Sequence, residues 1–240
     1  CCLAMTEHFF SRRDGLLYGG LGLPLAFVAL PLYVILPNHY AREFGVPLSL
    51  LGALLLAVRL LDAFIDPLLG RLSDRLYSRS IRSVLVAGVI AASGLALGFG
   101  ALFFPPVREI YALMAWAAVA LVVPYTGYSL LSITHQAWGA MLGGDEAQRG
   151  QVVAWREGLG LVGVVMAAVA PAVMGMPATA ALFTLCLVLG WLAWTRAPRP
   201  KPESRLDGPV NSPASNPLSR LEAAGRVTSL WHPFTRPAFR

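Results

Sequence analysis

The chain has 240 residues, of which 56% are hydrophobic and only 13% are charged, and its mean hydropathy is +0.62. Soluble domains carry about 25% charged residues, so this chain has too little polar surface for a soluble fold of its size. The net charge is +6, and nearly all the basic residues are arginines. Basic charge in so apolar a chain is typical of cytoplasmic loops, so the composition predicts an integral membrane protein with no nucleic-acid partner.

Apolar runs long enough to cross a bilayer follow one another along residues 15–195. A spanning helix needs about 20 predominantly apolar residues. The predicted spans are 15–37, 47–72, 83–104, 109–132 and two within 151–195. The last stretch is too long for one span, and Pro171, Gly175 and Pro177 predict a turn inside it. The expected fold is therefore all-α, a polytopic membrane protein whose transmembrane bundle of six helices covers residues 15–195.

Basic residues are concentrated in alternate connections between the predicted spans. Short cytoplasmic loops carry an excess of Lys and Arg. The residues that follow this rule are Arg12, Arg13, Arg71, Arg75, Arg79, Arg82, Arg149, Arg196, Arg199, Lys201 and Arg205. The pattern predicts a cytoplasmic N-terminus at residues 1–14 and a cytoplasmic segment after the sixth span, in a plasma (inner) membrane protein.

The segment 196–240 differs in composition from the rest of the chain. It is rich in proline, arginine, serine and asparagine, which is typical of an irregular linker. A short helix is expected over 217–225. Apolar and aromatic residues return at Leu230, Trp231, Phe234 and Phe239. These residues resemble the approach to another membrane segment, so we expect the chain to be a fragment that leads toward a missing second half.

The second span contains charges at mid-depth. Arg59, Asp62 and Asp66 are spaced i, i+3 and i+7, which places them on one stripe of a helix. One charge at the bilayer centre costs about 3 kcal/mol on insertion scales, so this stripe is expected to face a bundle interior or a water-filled cavity. Arg59 can pair with Asp62, which leaves Asp66 without a local partner. A carboxylate in that position is expected to bind a cation or to carry a proton.

An inert buried ion pair is the alternative interpretation of this stripe. Such pairs give little net stability compared with apolar packing, and membrane helices more often associate through small residues. Pro67 follows Asp66 directly and removes the backbone hydrogen bond to the carbonyl of Ala63. A free carbonyl oxygen beside the carboxylates is useful to a bound cation, so the functional interpretation is favoured.

The residues that follow the stripe carry a resemblance to a known family. Gly70, Asp74 and Arg75 form the pattern Gly-x-x-x-Asp-Arg, which resembles the loop signature of the major facilitator superfamily. The longer string Arg-x-x-Asp-Ala-x-x-Asp-Pro-x-x-Gly-x-x-x-Asp, from Arg59 to Asp74, resembles the glycoside-pentoside-hexuronide:cation symporters, the melibiose permease family. The resemblance covers the six spans as the amino-terminal half of a twelve-helix bundle.

The resemblance implies a secondary transporter that carries a sugar-like or other small organic solute together with a proton or sodium ion by alternating access. It implies that Asp62 and Asp66 hold the cation, with Arg59 beside them, and that Arg156 lies in the solute site. Gly70, Asp74 and Arg75 would then form part of an inner gate. The implied partners are the solute, the lipid bilayer and the missing carboxyl-terminal half, and no cofactor or metal is expected besides the coupling ion.

Two departures from the family pattern bear on the cation and the solute. Sugar-binding members have an acidic residue in the first span, where this chain reads 23–26 as Leu-Pro-Leu-Ala. They have another in the fourth span, where Val122 and Val123 stand here. Without these acids a galactoside-type solute and a full sodium site are both less expected, and proton coupling through Asp62 or Asp66 is the simpler interpretation.

Several other polar residues admit two interpretations. Arg156 either enters a central cavity or extends toward the membrane interface. Tyr125 and Tyr128 are candidates for stacking on a sugar-like ring, although aromatic residues at helix ends are often interface anchors. His135 and Gln136 are candidates for the cavity lining, but a loop position is favoured for them.

An enzyme is the rival class of function. Asp62 and Asp66 are spaced like the paired aspartates with which membrane prenyltransferases hold magnesium and pyrophosphate. Such an enzyme needs a second aspartate-rich motif several helices later, and the last two predicted spans contain no aspartate. The sequence therefore favours a transporter, which is not an enzyme.

Overall fold

The computed structural model of the chain describes residues 10–142 and 146–200, and every regular element in those ranges is helical. The predicted linker beyond residue 200, with the short helix expected over 217–225, lies outside the described residues. Five helices are long and apolar enough to cross a membrane. They are α1 (Arg12–Phe44), α2 (Leu48–Arg79), α3 (Ile81–Phe103), α4 (Ile110–Ala140) and α5 (Glu146–Thr195).

Helix α1 changes its winding along its length. Two α-helical parts, Arg12–Gly19 and Gly22–Leu30, lead into a π-helical turn over Pro31–Ile35 and a final α-helical part, Leu36–Phe44. Single π-helical turns inside α-helices occur frequently at functional sites. The helix ends at Gly45, whose φ of 66° lies in the left-handed region that favours glycine.

Helix α5 contains 50 residues, about 75 Å of regular helix and more than twice the thickness of a bilayer core. Gly175 interrupts it with a φ of 76° and a ψ of 170°. The interruption falls where the sequence predicts a turn, while Pro171 and Pro177 stay in the flanking helix. We call residues 146–174 the first arm of α5 and residues 176–195 its second arm.

The first arm of α5 runs parallel to α1. Gly19 lies against the backbone of Trp155, and four residues further along α1 the backbone of Leu23 lies against Gly163. Residue numbers therefore rise together along the two helices. A side chain at Gly19 or Gly163 would meet backbone atoms of the partner helix, so glycine permits this close approach.

The second arm runs in the opposite direction along α1. Gly190 lies against the backbone of Gly20, whereas the ring of Phe183 stacks on that of Phe27 with centroids 5.7 Å apart. Numbers rise along α1 as they fall along the second arm. The two arms thus form a hairpin around α1, and together with α1–α4 they make the six passages that the sequence predicts.

Helices α3 and α4 also pack through small residues. The ring of Pro124, which lies inside α4, occupies the space beside Gly98 of α3, and Gly127 lies against the backbone of Ala91. Glu109 caps α4 by accepting hydrogen bonds from the backbone N–H groups of Tyr111 and Ala112 at 3.1 and 2.8 Å. This close packing fixes the rotation of α4 about its axis. Helix α4 carries many of the polar side chains described below.

Three predicted span ends are too early, the first of them at residue 37, because α1 continues to Phe44. The second span was predicted to end at residue 72, but α2 continues to Arg79, because no residue between Gly70 and Arg79 breaks a helix. The predicted gating loop of Gly70, Asp74 and Arg75 is therefore the last part of a helix. The fourth span was predicted to end at residue 132, and α4 continues to Ala140.

Candidate functional site

The charged stripe of α2 lies on the side of that helix that approaches α1 and α4. The predicted ion pair is present, with Arg59 Nη1 3.7 Å from Asp62 Oδ2. The side chain of Asp62 is only 12% exposed, whereas that of Arg59 is 50% exposed. Asp66 is exposed one turn further along, and it has no hydrogen bond or ion pair among the described residues. The pairing expected from the spacing is thus loose, and it involves one of the two carboxylates.

The guanidinium of Arg59 is held by two aromatic rings. It lies 4.0 Å from the ring centroid of Tyr33 and 5.8 Å from that of Tyr125. The two rings meet edge to face, with centroids 5.5 Å apart. A cation over an aromatic face gains about 0.5–2 kcal/mol, depending on how far it is desolvated. The π-helical turn of α1 places Tyr33 in this position, which was not predicted from the sequence.

Ser129 of α4 supplies the third polar contact at this place. Its buried hydroxyl donates a hydrogen bond to Asp62 Oδ1 at 3.2 Å. Asp62 therefore receives a neutral donor on one oxygen and a cationic side chain on the other. Ser129 lies one helical turn after Tyr125, and that i, i+4 spacing is the signal that could have identified it. We call Tyr33, Arg59, Asp62, Tyr125 and Ser129 the Asp62 cluster.

A second polar region lies between α1, α4 and the first arm of α5. It is a cavity of about 160 Å³. Its polar lining comes from α4 and α5 and consists of Tyr128, Ser132, His135, Gln136, Arg156 and Glu157. We call it the Arg156 cavity. Hydroxyl, imidazole, amide, guanidinium and carboxylate groups converge here, a set that can donate and accept several hydrogen bonds at once.

Arg156 lines this cavity, a position that fits the first of its two interpretations. Its side chain is 23% exposed, and its Nη2 lies 2.6 Å from Glu157 Oε1. Its Nε donates a second hydrogen bond to the same oxygen at 3.0 Å. Both nitrogens along one edge of the guanidinium are therefore engaged by one carboxylate oxygen.

His135 and Gln136 lie on α4, so the loop position favoured for them is wrong. The helix extends beyond its predicted end, and the extra turns bring both residues to the cavity. His135 Nε2 lies 2.8 Å from the backbone carbonyl oxygen of Tyr18, and since a carbonyl only accepts, Nε2 carries a proton. The Tyr18 hydroxyl donates in return to the carbonyl oxygen of His135 at 3.1 Å. This exchange fixes the imidazole at the wall of the cavity.

The two tyrosines predicted to contact a solute belong to different regions. Tyr125 is buried in the Asp62 cluster, and its hydroxyl has no hydrogen-bond partner among the described residues. Tyr128 lines the Arg156 cavity. Ser129, the next residue, faces Asp62. One turn of α4 therefore carries groups of both regions.

The predicted gate residues lie apart from both regions. Asp74 and Arg75 are exposed near the end of α2, and no ion pair forms between them. No atom of a neighbouring helix lies within 4 Å of the position that a side chain at Gly70 would take. Within the described residues, no helix therefore packs closely against α2 at Gly70.

Comparison with known proteins bears on what these regions do. Residues 16–195 match the family model described as "MFS/sugar transport protein". The chain is 29% identical over 173 residues to the inner membrane symporter YicJ of Escherichia coli (strain K12), covering 69% of this chain and 36% of that protein. It is 27% identical over 158 residues to the putative glycoside/cation symporter YagG of the same organism, covering 63% of this chain and 32% of that protein.

A third relative comes from another bacterium. The putative sulfoquinovose importer of Salmonella typhimurium (strain LT2) is 28% identical over 185 residues, covering 76% of this chain and 38% of that protein. The chain thus spans about a third of the length of the curated relatives that it matches. These names denote symporters and an importer, so the comparisons give the prenyltransferase alternative no support.

Proposed function

Because the chain belongs to the MFS/sugar transport protein family, we propose that it is the amino-terminal half of a secondary transporter that moves a small sugar-like solute together with a cation by alternating access. The chain is an integral membrane protein, with α1–α5 as its membrane helices. The observation that carries the proposal is the adjacency of two regions on one turn of α4. Tyr128 faces a cavity suited to a hydroxylated solute, and Ser129 faces an ionisable carboxylate.

We assign the coupling cation to Asp62 and Asp66. Asp62 is the enclosed carboxylate, and Asp66, one turn away, has no partner among the described residues. A proton needs a single carboxylate, whereas a metal ion needs several oxygen ligands. The single enclosed carboxylate of Asp62, apart from the exposed Asp66, supports coupling to a proton over coupling to sodium.

We assign the solute to the Arg156 cavity. A sugar presents many hydroxyl groups and one apolar ring face. Arg156, Ser132, His135 and Gln136 offer hydrogen bonds to hydroxyls, while the ring of Tyr128 offers an aromatic surface. A site of this kind for the solute, placed beside an ion site, is what coupling of the two requires.

The rest of the transporter would come from a second half that follows the chain. The relatives are about three times as long as the matched segment, and alternating access rocks one half against the other. Asp74 and Arg75 lie exposed near the end of α2, one turn after the half-buried Gly70, and we assign these three residues to the contact that closes the inner side. The proposed orientation places residues 1–14 and 196–240 in the cytoplasm of a cell whose inner membrane holds the protein.

Uptake by the full-length protein tests this proposal. Vesicles that contain the wild type should accumulate a glycoside when a proton or sodium gradient is imposed, and the Asp66→Asn variant should lose that accumulation. Glu43→Gln, an exposed acid near the end of α1, is the matched control. If uptake ignores both gradients and survives Asp66→Asn, the protein is not a cation symporter.

A further inference from the structure

Charge balance in the Arg156 cavity distinguishes two kinds of solute. Among the described lining residues, Arg156 and Glu157 are the two that carry a full charge at neutral pH. They are adjacent in the chain and bonded to each other. The cavity as a whole therefore presents no net charge to what enters it.

The geometry of this pair occupies one of the two anion-binding edges of the arginine and places a carboxylate beside the other. Arginine recognises carboxylate, sulfonate and phosphate groups through two parallel N–H groups. In Arg156 the Nε and Nη2 donors both point to Glu157 Oε1, at 3.0 and 2.6 Å. An anionic solute would have to displace Glu157 or approach the remaining Nη1–Nη2 edge, and in either position it would lie near the negative charge of Glu157.

We propose that Glu157 sets the charge preference of the transported solute, by neutralising the charge of Arg156 and so reserving the cavity for an uncharged polyhydroxylated molecule. The proposal rests on the proposed function and specifies its solute class. Arg156 has further donors, on Nη1 and on the second proton of Nη2, that do not contact Glu157 and suit hydroxyl oxygens. Tyr128, Ser132 and Gln136 complete an uncharged lining.

The exposure of the two side chains supports a role in selection over one in stability. Glu157 is 65% exposed and Arg156 is 23% exposed. A pair this accessible contributes little to folding, typically below about 1 kcal/mol. Its removal should therefore leave the helices in place, while the charge that an entering solute meets changes by one unit.

The test compares matched solutes that differ in one charged group. Full-length protein in proteoliposomes would be assayed for uptake of methyl glucoside against methyl glucuronoside, and of methyl galactoside against methyl galacturonoside. The variants are Glu157→Gln, which keeps the size and loses the charge, and Glu146→Gln, which removes an exposed acid of the same helix away from the cavity. Elution from a size-exclusion column reports folding, and Glu157→Ser replaces the Gln variant if that variant fails to accumulate.

The wild type and Glu146→Gln should prefer the neutral member of a pair. Glu157→Gln should shift the neutral-to-anionic ratio toward the anionic member by roughly tenfold, through the KM of the two solutes. A wild type that prefers the anionic member, or a folded Glu157→Gln protein with an unchanged ratio, overturns the proposal while transport itself stands. A wild type that takes up none of the four glycosides under either gradient instead overturns the sugar assignment on which the proposal depends.

Discussion

Helices α1 and α2 are neighbours in the chain and have similar lengths, but they differ in burial and in charge. Within their most apolar stretches, 56% of α1 is buried against 11% of α2. Helix α1 is enclosed by both arms of α5 through close glycine contacts. Helix α2 is exposed and carries Arg59, Asp62 and Asp66 at mid-depth. The difference separates a packed scaffold from a helix whose charges are available to ions.

Substitutions at the packing contacts of α1 should have the largest effect on the amount of folded protein. Gly163→Ala would place a methyl group against the backbone carbonyl of Leu23, which cannot rotate away. Overpacking of this kind costs about 1–3 kcal/mol, so we expect a marked loss of folded protein, measured as the monodisperse fraction after detergent extraction. The same change at Gly158, on the same arm with open space around it, is the control. Equal losses at both positions would show that the arm is not packed on α1 as described.

Substitution of the charged residues of α2 should leave the amount of folded protein unchanged but impair transport. Asp62→Asn keeps the shape of the side chain and can keep the hydrogen bond from Ser129, but it can neither attract a cation nor release a proton. We expect at least tenfold slower gradient-driven uptake with an unchanged yield of folded protein. Solute exchange between vesicles of equal pH and sodium concentration is the second measurement. Asp62→Asn protein that still concentrates solute to the wild-type level would place the coupling carboxylate elsewhere, with Asp66 next to be tested.

Ser129 joins α4 to the charged helix, so its substitution should give an intermediate effect. Ser129→Ala removes one hydrogen bond from Asp62, a net contribution of about 0.5–1.5 kcal/mol. We expect the half-saturating concentration of the coupling proton to fall by about two- to tenfold, because a carboxylate that loses a hydrogen-bond donor holds a proton more tightly. The KM for solute at saturating cation should stay the same. Ser132→Ala, one turn along on the cavity side, should change the KM for solute and leave the half-saturating concentration of the coupling ion the same. Identical profiles for the two variants would mean that the two regions are one site.

The sequence was sufficient for the helices and the stripe, and physical reasons explain what it could not provide. Helix number, the break at Gly175 and the pairing of Arg59 with Asp62 follow from apolar length, backbone chemistry and i, i+3 spacing, all of which are local. Tyr33 and Ser129 were missed because their importance depends on which faces of α1 and α4 meet α2. His135 was misplaced because an apolar segment that extends past the bilayer core gives no signal for where its helix ends.

Substitution of Tyr33, whose ring contacts Arg59, should have the smallest effect. It tests the contact between the buried helix α1 and the charged helix α2. Tyr33 is the point at which the scaffold helix contacts the charged stripe, with its ring centroid 4.0 Å from the guanidinium carbon. Tyr33→Leu removes the ring face, worth about 0.5–1 kcal/mol for a half-exposed arginine, and frees Arg59 to approach Asp62 more closely than 3.7 Å. The arginine then competes with the coupling cation, so half-saturation should need about two- to fivefold more cation. Tyr33→Phe keeps the face and should match the wild type. If the Phe variant is as impaired as the Leu variant, the hydroxyl of Tyr33 and not its ring holds Arg59, and the contact is polar.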